Sequence, residues 1–297
     1  MRIGAASLAL DRLASGQDLP QQHLRSAVAE PAFILITGAS SGIGAALARA
    51  LARRGKALVL TARRLERLEA LAQQLRQDHG VAVEIVPCDL ARPGAASDLQ
   101  AALQHKGLQL QGLVNNAGFG LRGDFNQLTS EQWQPMLQVM LQAVLELSQR
   151  FLPELSQHPE AFILNVASLA GLVPGLAGSS LYSACKAFLI RFSQSLAAEQ
   201  GEAGVRVMVL CPGYVHTEFH AQLGVQERIN KLPGWFWMES DDLAERALQA
   251  LAGRDVVVVP GSWNQAIALL ARLLPEPLAR LLSRGFSRRY RRAADEG

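Results

Sequence analysis

Between Phe33 and Val259 the chain alternates short, uninterrupted apolar runs with longer helix-period segments, and this alternation leaves few folds open. Runs such as Phe33-Ile34-Leu35-Ile36-Thr37 and Ala57-Leu58-Val59-Leu60-Thr61 have no polar face, so they predict strands covered on both sides. Seven strands are predicted, over 33–37, 57–61, 81–86, 113–115, 162–166, 205–210 and 256–259. Helices are predicted over 43–54, 65–79, 95–105, 131–151, 183–200 and 241–252. Strands that alternate with helices of this length pair in parallel through crossover connections. The expected architecture is therefore α/β, a single doubly wound domain over 32–261 with a seven-stranded parallel sheet. Residues 1–31 read as a polar N-terminal extension, and 262–297 as an amphipathic, basic helical C-terminal segment.

Composition narrows the class. Of 297 residues 49% are hydrophobic, enough for a sizeable core and too many for a disordered chain. No run approaches the roughly 18 apolar residues of a membrane span. The best late stretch, Ala266 to Leu274, contains Arg272. Asp11 and Arg12 cut the first apolar stretch short, so no secretion signal is expected. Cys88, Cys185 and Cys211 are odd in number, far apart and form no CxxC pair. That argues against a disulfide scaffold or zinc ribbon and fits a reducing, cytoplasmic location. A net charge of +3 is too weak to argue for a nucleic-acid partner.

The first predicted strand runs directly into Thr37-Gly38-Ala39-Ser40-Ser41-Gly42-Ile43-Gly44 and then a helix. Glycine lets the backbone turn tightly and approach a diphosphate with no Cβ in the way. The helix N-terminus offers unsatisfied N–H groups and the positive end of its dipole to the anion. Sheets that bind NAD usually place an acid after the second strand for the ribose 2′-hydroxyl. Here Thr61-Ala62-Arg63-Arg64 stands at that point. A guanidinium at Arg63 suits the 2′-phosphate of NADP, so NADP(H) is expected in preference to NAD(H).

Tyr182-Ser183-Ala184-Cys185-Lys186 opens a helix, and a spacing of four puts the phenol and the ammonium on one face, one turn apart. A phenol near pKa 10 is a poor proton carrier at neutral pH, and a neighbouring ammonium brings it closer to working range. Ser168 follows the strand 162–166, at the carboxyl end of the sheet where doubly wound folds bind ligands. A hydroxyl there suits a substrate carbonyl oxygen.

The chain resembles the short-chain dehydrogenase/reductase family, whose fold is of the Rossmann type. The match runs through Thr37-Gly38-x₃-Gly42-x-Gly44, Asp89, Asn115-Asn116-Ala117-Gly118, Ser168, Tyr182-x₃-Lys186 and Pro212-Gly213-x-Val215-x-Thr217, in family order over about 230 residues. The resemblance implies that Tyr182 carries the proton, that Lys186 binds the nicotinamide ribose and tunes the tyrosine, and that Ser168 orients the substrate oxygen. It further implies a cofactor cleft lined by Gly38, Ser40, Ser41, Gly42, Ile43 and Gly44. The resemblance places Asp89 beside the adenine, with Leu90, Asn116, Ala117 and Gly118 also on the cofactor cleft. It places Val215 and Thr217 on the nicotinamide carboxamide side, with Pro212 and Gly213 also among the cofactor-binding residues.

Two departures from the family pattern stand out. The family usually has an asparagine in the helix before Ser168, and the alignment puts Met140 there. A thioether barely hydrogen-bonds, so a water-mediated proton relay to the lysine is expected to be impaired or rerouted. Met136, Met140 and Val144 share one apolar face, so the plainer reading of Met140 is core packing. The gap from Ser168 to Tyr182 is one residue longer than usual, with the extra residue assigned to Gly175-Leu176-Ala177-Gly178.

The segment from Thr217 to Asp241 reads as a substrate lid, about 217–240, and contains Phe219, Leu223, Ile229, Leu232, Trp235, Phe236 and Trp237. Its large apolar side chains suit either a hydrophobic substrate or packing on the protein body or a neighbouring subunit. His216 and His220 have metal-compatible spacing, but with no further ligand in view no metal is expected. After Val259 come leucines from Leu269 to Leu282, followed by arginines. Residues 280–292 hold six arginines and no acid, so the rest of the chain is net −3. This tail reads as a dock for a second subunit, a contact with anionic lipid or a solvated end.

The reading favoured by these features is an NADP(H)-preferring oxidoreductase acting between a ketone and a secondary alcohol on an apolar substrate. A homodimer or homotetramer is expected. The alternatives are a catalytically impaired nucleotide-binding sensor or scaffold, which Met140 favours, and a sugar-nucleotide epimerase. The latter normally has a Gly-x₂-Gly-x₂-Gly turn and a larger substrate domain.

Overall fold

The computed structural model describes residues 32–121, 123–175, 177–201, 204–219, 233–275 and 278. The N-terminal extension 1–31, the basic run 280–292, the lid residues Leu223, Ile229 and Leu232, and also His220 and Leu176 lie outside the described residues.

Nine strands and eight α-helices are described. In chain order they are β1 (Phe33–Thr37), α1 (Gly42–Ala52), β2 (Ala57–Thr61), α2 (Leu65–His79), β3 (Val83–Ile85), α3 (Ala95–His105), β4 (Leu110–Asn115), α4 (Ser130–Leu137), α5 (Ala143–Leu155) and β5 (Phe162–Val166). Then follow α6 (Ser180–Gln200), β6 (Arg206–Leu210), β7 (Tyr214–His216), β8 (Trp237–Glu239), α7 (Ser240–Leu251), β9 (Val257–Val258) and α8 (Ser262–Leu273). Seven strands form one parallel sheet in the order β3-β2-β1-β4-β5-β6-β9. Every residue of β1, β2 and β5 is buried, as the uninterrupted apolar runs require.

The order reverses between β1 and β4, and a crevice opens beyond their carboxyl ends. Around that crevice the helices are held by two means. Alanine-rich α1 is buried along most of its length and packs closely on α7. Arg49 of α1 pairs with Asp241 of α7 at 2.8 Å, and Arg53 and Arg54, just after α1, both pair with Glu245 at 2.6 Å. The two guanidinium groups pull the Glu245 carboxyl down to about 2.

Two elements differ from expectation. The single helix expected over 131–151 is broken by a π-turn at Gln138–Gln142, between α4 and α5. The extra residue lets neighbours in sequence face different cores. Val139 packs with Leu99, Leu113 and Leu147, while Met140 packs with Met136 and Cys185. The second difference is a small parallel ladder that pairs Tyr214 with Trp237, Val215 with Met238 and His216 with Glu239. It brings the two ends of the lid segment together, a pairing too short to show as a period.

Candidate active site

A cavity of about 1060 Å³ lies over the carboxyl ends of β1, β4, β5 and β6. At one end is the glycine turn. Gly38 and Gly42 have φ of +66° and +54°, and a Cβ on Gly38 would stand 2.9 Å from Ala117 Cα. Thr37 and Asn116 hold the turn in place. Thr37 Oγ1 accepts from the Asn116 and Ala117 N–H groups at 2.9 and 3.0 Å, and it donates to Val114 O at 3.1 Å. Asn116 Nδ2 donates to Thr37 O at 2.9 Å. The first turn of α1 has neither a side-chain cap nor an acid, so its N–H groups are left for an anion in the cavity.

Ser40, Ser41, Ile43, Arg63, Asp89, Leu90, Ala117 and Gly118 all line this cavity, as do Pro212, Gly213, Val215 and Thr217. Gly44 is the exception among the residues assigned to the cofactor cleft. It lies behind the wall, where a Cβ would meet Gly38 O at 2.4 Å and Asn116 Nδ2 at 2.5 Å. Its role is close packing of α1 on the turn.

Further along the cavity stand Ser168, Tyr182 and Lys186. Ser168 follows β5, and its Oγ accepts from Ala170 N–H at 3.1 Å, so the hydroxyl can still donate one hydrogen bond. Tyr182 and Lys186 sit on the first turns of α6, the ammonium 5.6 Å from the phenol ring centroid. Lys186 is buried and donates to Val166 O at 2.7 Å. Burial lowers its pKa to about 8. Gly171 locks the turn after Ser168 against α6, because a Cβ there would stand 2.6 Å from the Lys186 backbone carbonyl carbon.

Beneath these groups runs a buried polar ladder that the sequence reading missed. Asn115 Nδ2 donates to Asn165 Oδ1, Asn165 Nδ2 to Ser193 Oγ, both at 2.9 Å, and Ser193 Oγ to Leu189 O at 2.6 Å. It ties β4 and β5 to α6 and so fixes the helix that carries Tyr182 and Lys186. Met140 is 1% exposed. Its Cγ and Sδ lie 3.6 and 3.8 Å from the point where a Cβ on Gly118 would stand, and Lys186 Nζ lies 3.8 Å from the same point. Cys185 is buried beside Met140, and burial raises the pKa of its thiol.

The far end of the cavity is apolar and is lined by α8, which the sequence alone assigns to a segment beyond the catalytic domain. Trp263, Ile267, Leu270, Ala271 and Leu274 form one helical stripe along this wall, facing Phe219 and Phe236. Gly213 anchors α8. A Cβ there would stand 2.5 Å from the side chain of buried Asn264, whose Nδ2 donates to Pro260 O at 2.8 Å. Outside the cavity, His216 stacks on Trp237 at 4.4 Å and lies 3.7 Å from Glu239.

Comparison with known proteins gives this geometry a family. The family model for short chain dehydrogenases matches residues 32–228. An oxidoreductase of Myxococcus xanthus is 35% identical over 245 residues, which is 82% of this chain and 93% of the relative. A short-chain dehydrogenase from Sphingobium yanoikuyae, solved in complex with NADPH, superposes with a TM-score of 0.71 at 35% identity, covering 82% of this chain and 96% of that one. A bulky-bulky ketone specific alcohol dehydrogenase from Comamonas testosteroni superposes at 0.68 with 29% identity, covering 84% and 96%. A parallel sheet with its reversal at the glycine turn, a Ser-Tyr-Lys set at the strand ends and this match over most of the chain lead to one conclusion: the protein belongs to the short-chain dehydrogenase family and is an NAD(P)-dependent oxidoreductase.

Proposed function

We propose that the protein interconverts a ketone and a secondary alcohol on an apolar substrate, with NADP(H) preferred over NAD(H). The observation that carries this reading is the shared cavity, in which Ser168, Tyr182 and Lys186 stand between a glycine-turn wall and the apolar stripe of α8. The residues fit a dinucleotide, with Gly38 and Gly42 clearing the backbone and an uncapped α1 N-terminus facing the diphosphate position. Arg63 lines the cavity after β2 with no acid next to it in sequence, which suits a 2′-phosphate. The NADPH bound to the Sphingobium relative and the bulky ketones named for the Comamonas enzyme support the same assignment.

The bound dinucleotide would supply the hydride chemistry. Ser168 donates its hydroxyl proton to the substrate oxygen and fixes its position. Tyr182 gives a proton to that oxygen in reduction and takes it back in oxidation. Lys186, held by Val166 O, places a positive charge by the phenol and favours its ionised form. Phe219, against Tyr182 at 5.6 Å, and the α8 stripe exclude water and hold apolar groups.

The test is NADPH consumption over a panel of bulky ketones, with Tyr182→Phe in parallel. The expected loss in turnover is about 10²- to 10⁴-fold with folding unchanged, and retained activity overturns the mechanism. An impaired sensor is the second reading, favoured by Met140, and it requires cofactor binding without turnover on the whole panel. We further propose a cytoplasmic homodimer or homotetramer, checked by sedimentation velocity on the full chain.

A further inference from the structure

The two arginines after β2 are treated differently by the fold. Arg63 is exposed on the cavity and has no hydrogen bond or ion pair among the described residues. Arg64 is fully engaged. Its Nη2 donates to Ser41 Oγ at 2.7 Å and to Ser40 Oγ at 3.1 Å, and its Nη1 donates to Glu218 Oε2 at 3.0 Å. One turn into α2, Arg67 donates to the other carboxylate oxygen, Glu218 Oε1, at 2.6 Å. Glu218 reaches these groups from the opposite bank of the cavity. It follows Thr217, whose side chain lies 3.1 Å from the point where a Cβ on Gly42 would stand, and it precedes Phe219, which rests on Tyr182. Three consecutive residues at the base of the lid thus touch the glycine turn, the arginine cluster and the catalytic tyrosine. The acid missing after β2 in sequence is supplied there in space by Glu218.

We propose that Glu218 sets cofactor discrimination by holding Arg64 and Arg67 as an internal competitor of a 2′-phosphate. This rests on the NADP(H) reading and gives the lid a part in it. A 2′-phosphate that Arg63 receives also draws on the neighbouring Arg64 and Arg67 and takes them from Glu218, whereas an unphosphorylated dinucleotide leaves the ion pairs in place. A phosphate carries more charge than one carboxylate and more acceptor oxygens, so it wins the exchange, at the cost of breaking the pairs. The pairs are roughly half exposed, with side chains 39–47% accessible, so that cost is several-fold in affinity rather than orders of magnitude. Release of Glu218 also loosens residues 217–219, the last of which rests on Tyr182.

The experiment is calorimetric titration of the full chain and of Glu218→Gln with NADP and with NAD. Hydrogen exchange of the 217–219 amides is followed in parallel. Glu218→Gln is expected to tighten NADP binding about 3- to 10-fold and to change NAD binding less than about twofold. In the wild type, NADP should speed exchange at 217–219 relative to NAD, and the variant should lose that difference. Unchanged or weaker NADP binding by Glu218→Gln overturns the competition, whichever cofactor the wild type prefers. A wild type that binds NAD more tightly than NADP overturns the NADP(H) reading alone, and selective tightening of NADP in the variant then still supports the competition.

Discussion

The cofactor end of the cavity is walled by strand ends and the turns directly after them, whereas the substrate end is walled by Phe219, Phe236 and α8. At the glycine turn the first wall is backbone. Its dimensions are set by missing Cβ atoms at Gly38 and Gly44 and by the hydrogen bonds of Thr37 and Asn116. The second wall is side chains, several of them half exposed, such as Trp263 and Leu270. A backbone wall cannot be altered without moving the sheet, but a side-chain wall can change one residue at a time. One fold can therefore keep a dinucleotide site and vary the substrate.

Gly44→Ala is the most severe test of the first half of that contrast. The new Cβ would stand 2.4 Å from Gly38 O, a backbone atom that cannot swing away. A loss of about 3 kcal/mol in urea denaturation is expected, together with loss of both NADP and NAD binding. A variant as stable as the wild type would break the comparison. Arg63→Ala acts at the same end but on a side chain. It should weaken NADP about 10- to 100-fold with little change in NAD, measured by cofactor fluorescence titration. At the other end, Leu270→Ala should cost less than about 1 kcal/mol of stability, because the side chain is 52% exposed. Its KM for a bulky ketone should rise about 10-fold while that for a small ketone stays put. Equal effects on both substrates would mean that α8 is scaffold rather than specificity wall.

The same contrast explains what could be read in the sequence. Strands β1, β2 and β5, the glycine turn and the Tyr182–Lys186 pair are local patterns, and their places in the fold follow from period and spacing. Spacing cannot tell a glycine that faces a ligand from one that faces another backbone, so the sequence alone assigns Gly44 to the cleft. Asn165 lies inside an apolar run, where its ladder to Asn115 and Ser193 leaves no periodic trace. Glu218 and Arg64 are 154 positions apart, and only the fold brings the lid base to α2. Helix α8 looked like an appended segment because apolar residues lie on more than one of its faces. Trp263, Ile267, Leu270 and Leu274 line the cavity, whereas the exposed Leu269 and Leu273 do not.

Met140 belongs to neither wall, and its replacement has the smallest expected effect. It packs with Met136 and Cys185 and stands beside Gly118 opposite Lys186. Burial is the first cause of the lowered lysine pKa, about 8, against 10.5 for an ordinary lysine. The ammonium is kept below that pH and lost above it. With it goes the charge that supports Tyr182, so turnover in the reductive direction falls as pH rises through about 8. An asparagine at 140 would put a dipole and a hydrogen-bonding group where the thioether now stands, which eases the desolvation of the ammonium and raises its pKa. Met140→Asn should therefore leave turnover at pH 7 equal or raise it a few-fold, and move the high-pH limb of the rate profile upward. Stability should drop by about 1 kcal/mol, because a polar side chain replaces a buried apolar one. A large loss of turnover in a folded variant, or a high-pH limb moved downward, would show that the methionine is part of the working site rather than a tolerated neighbour of the lysine.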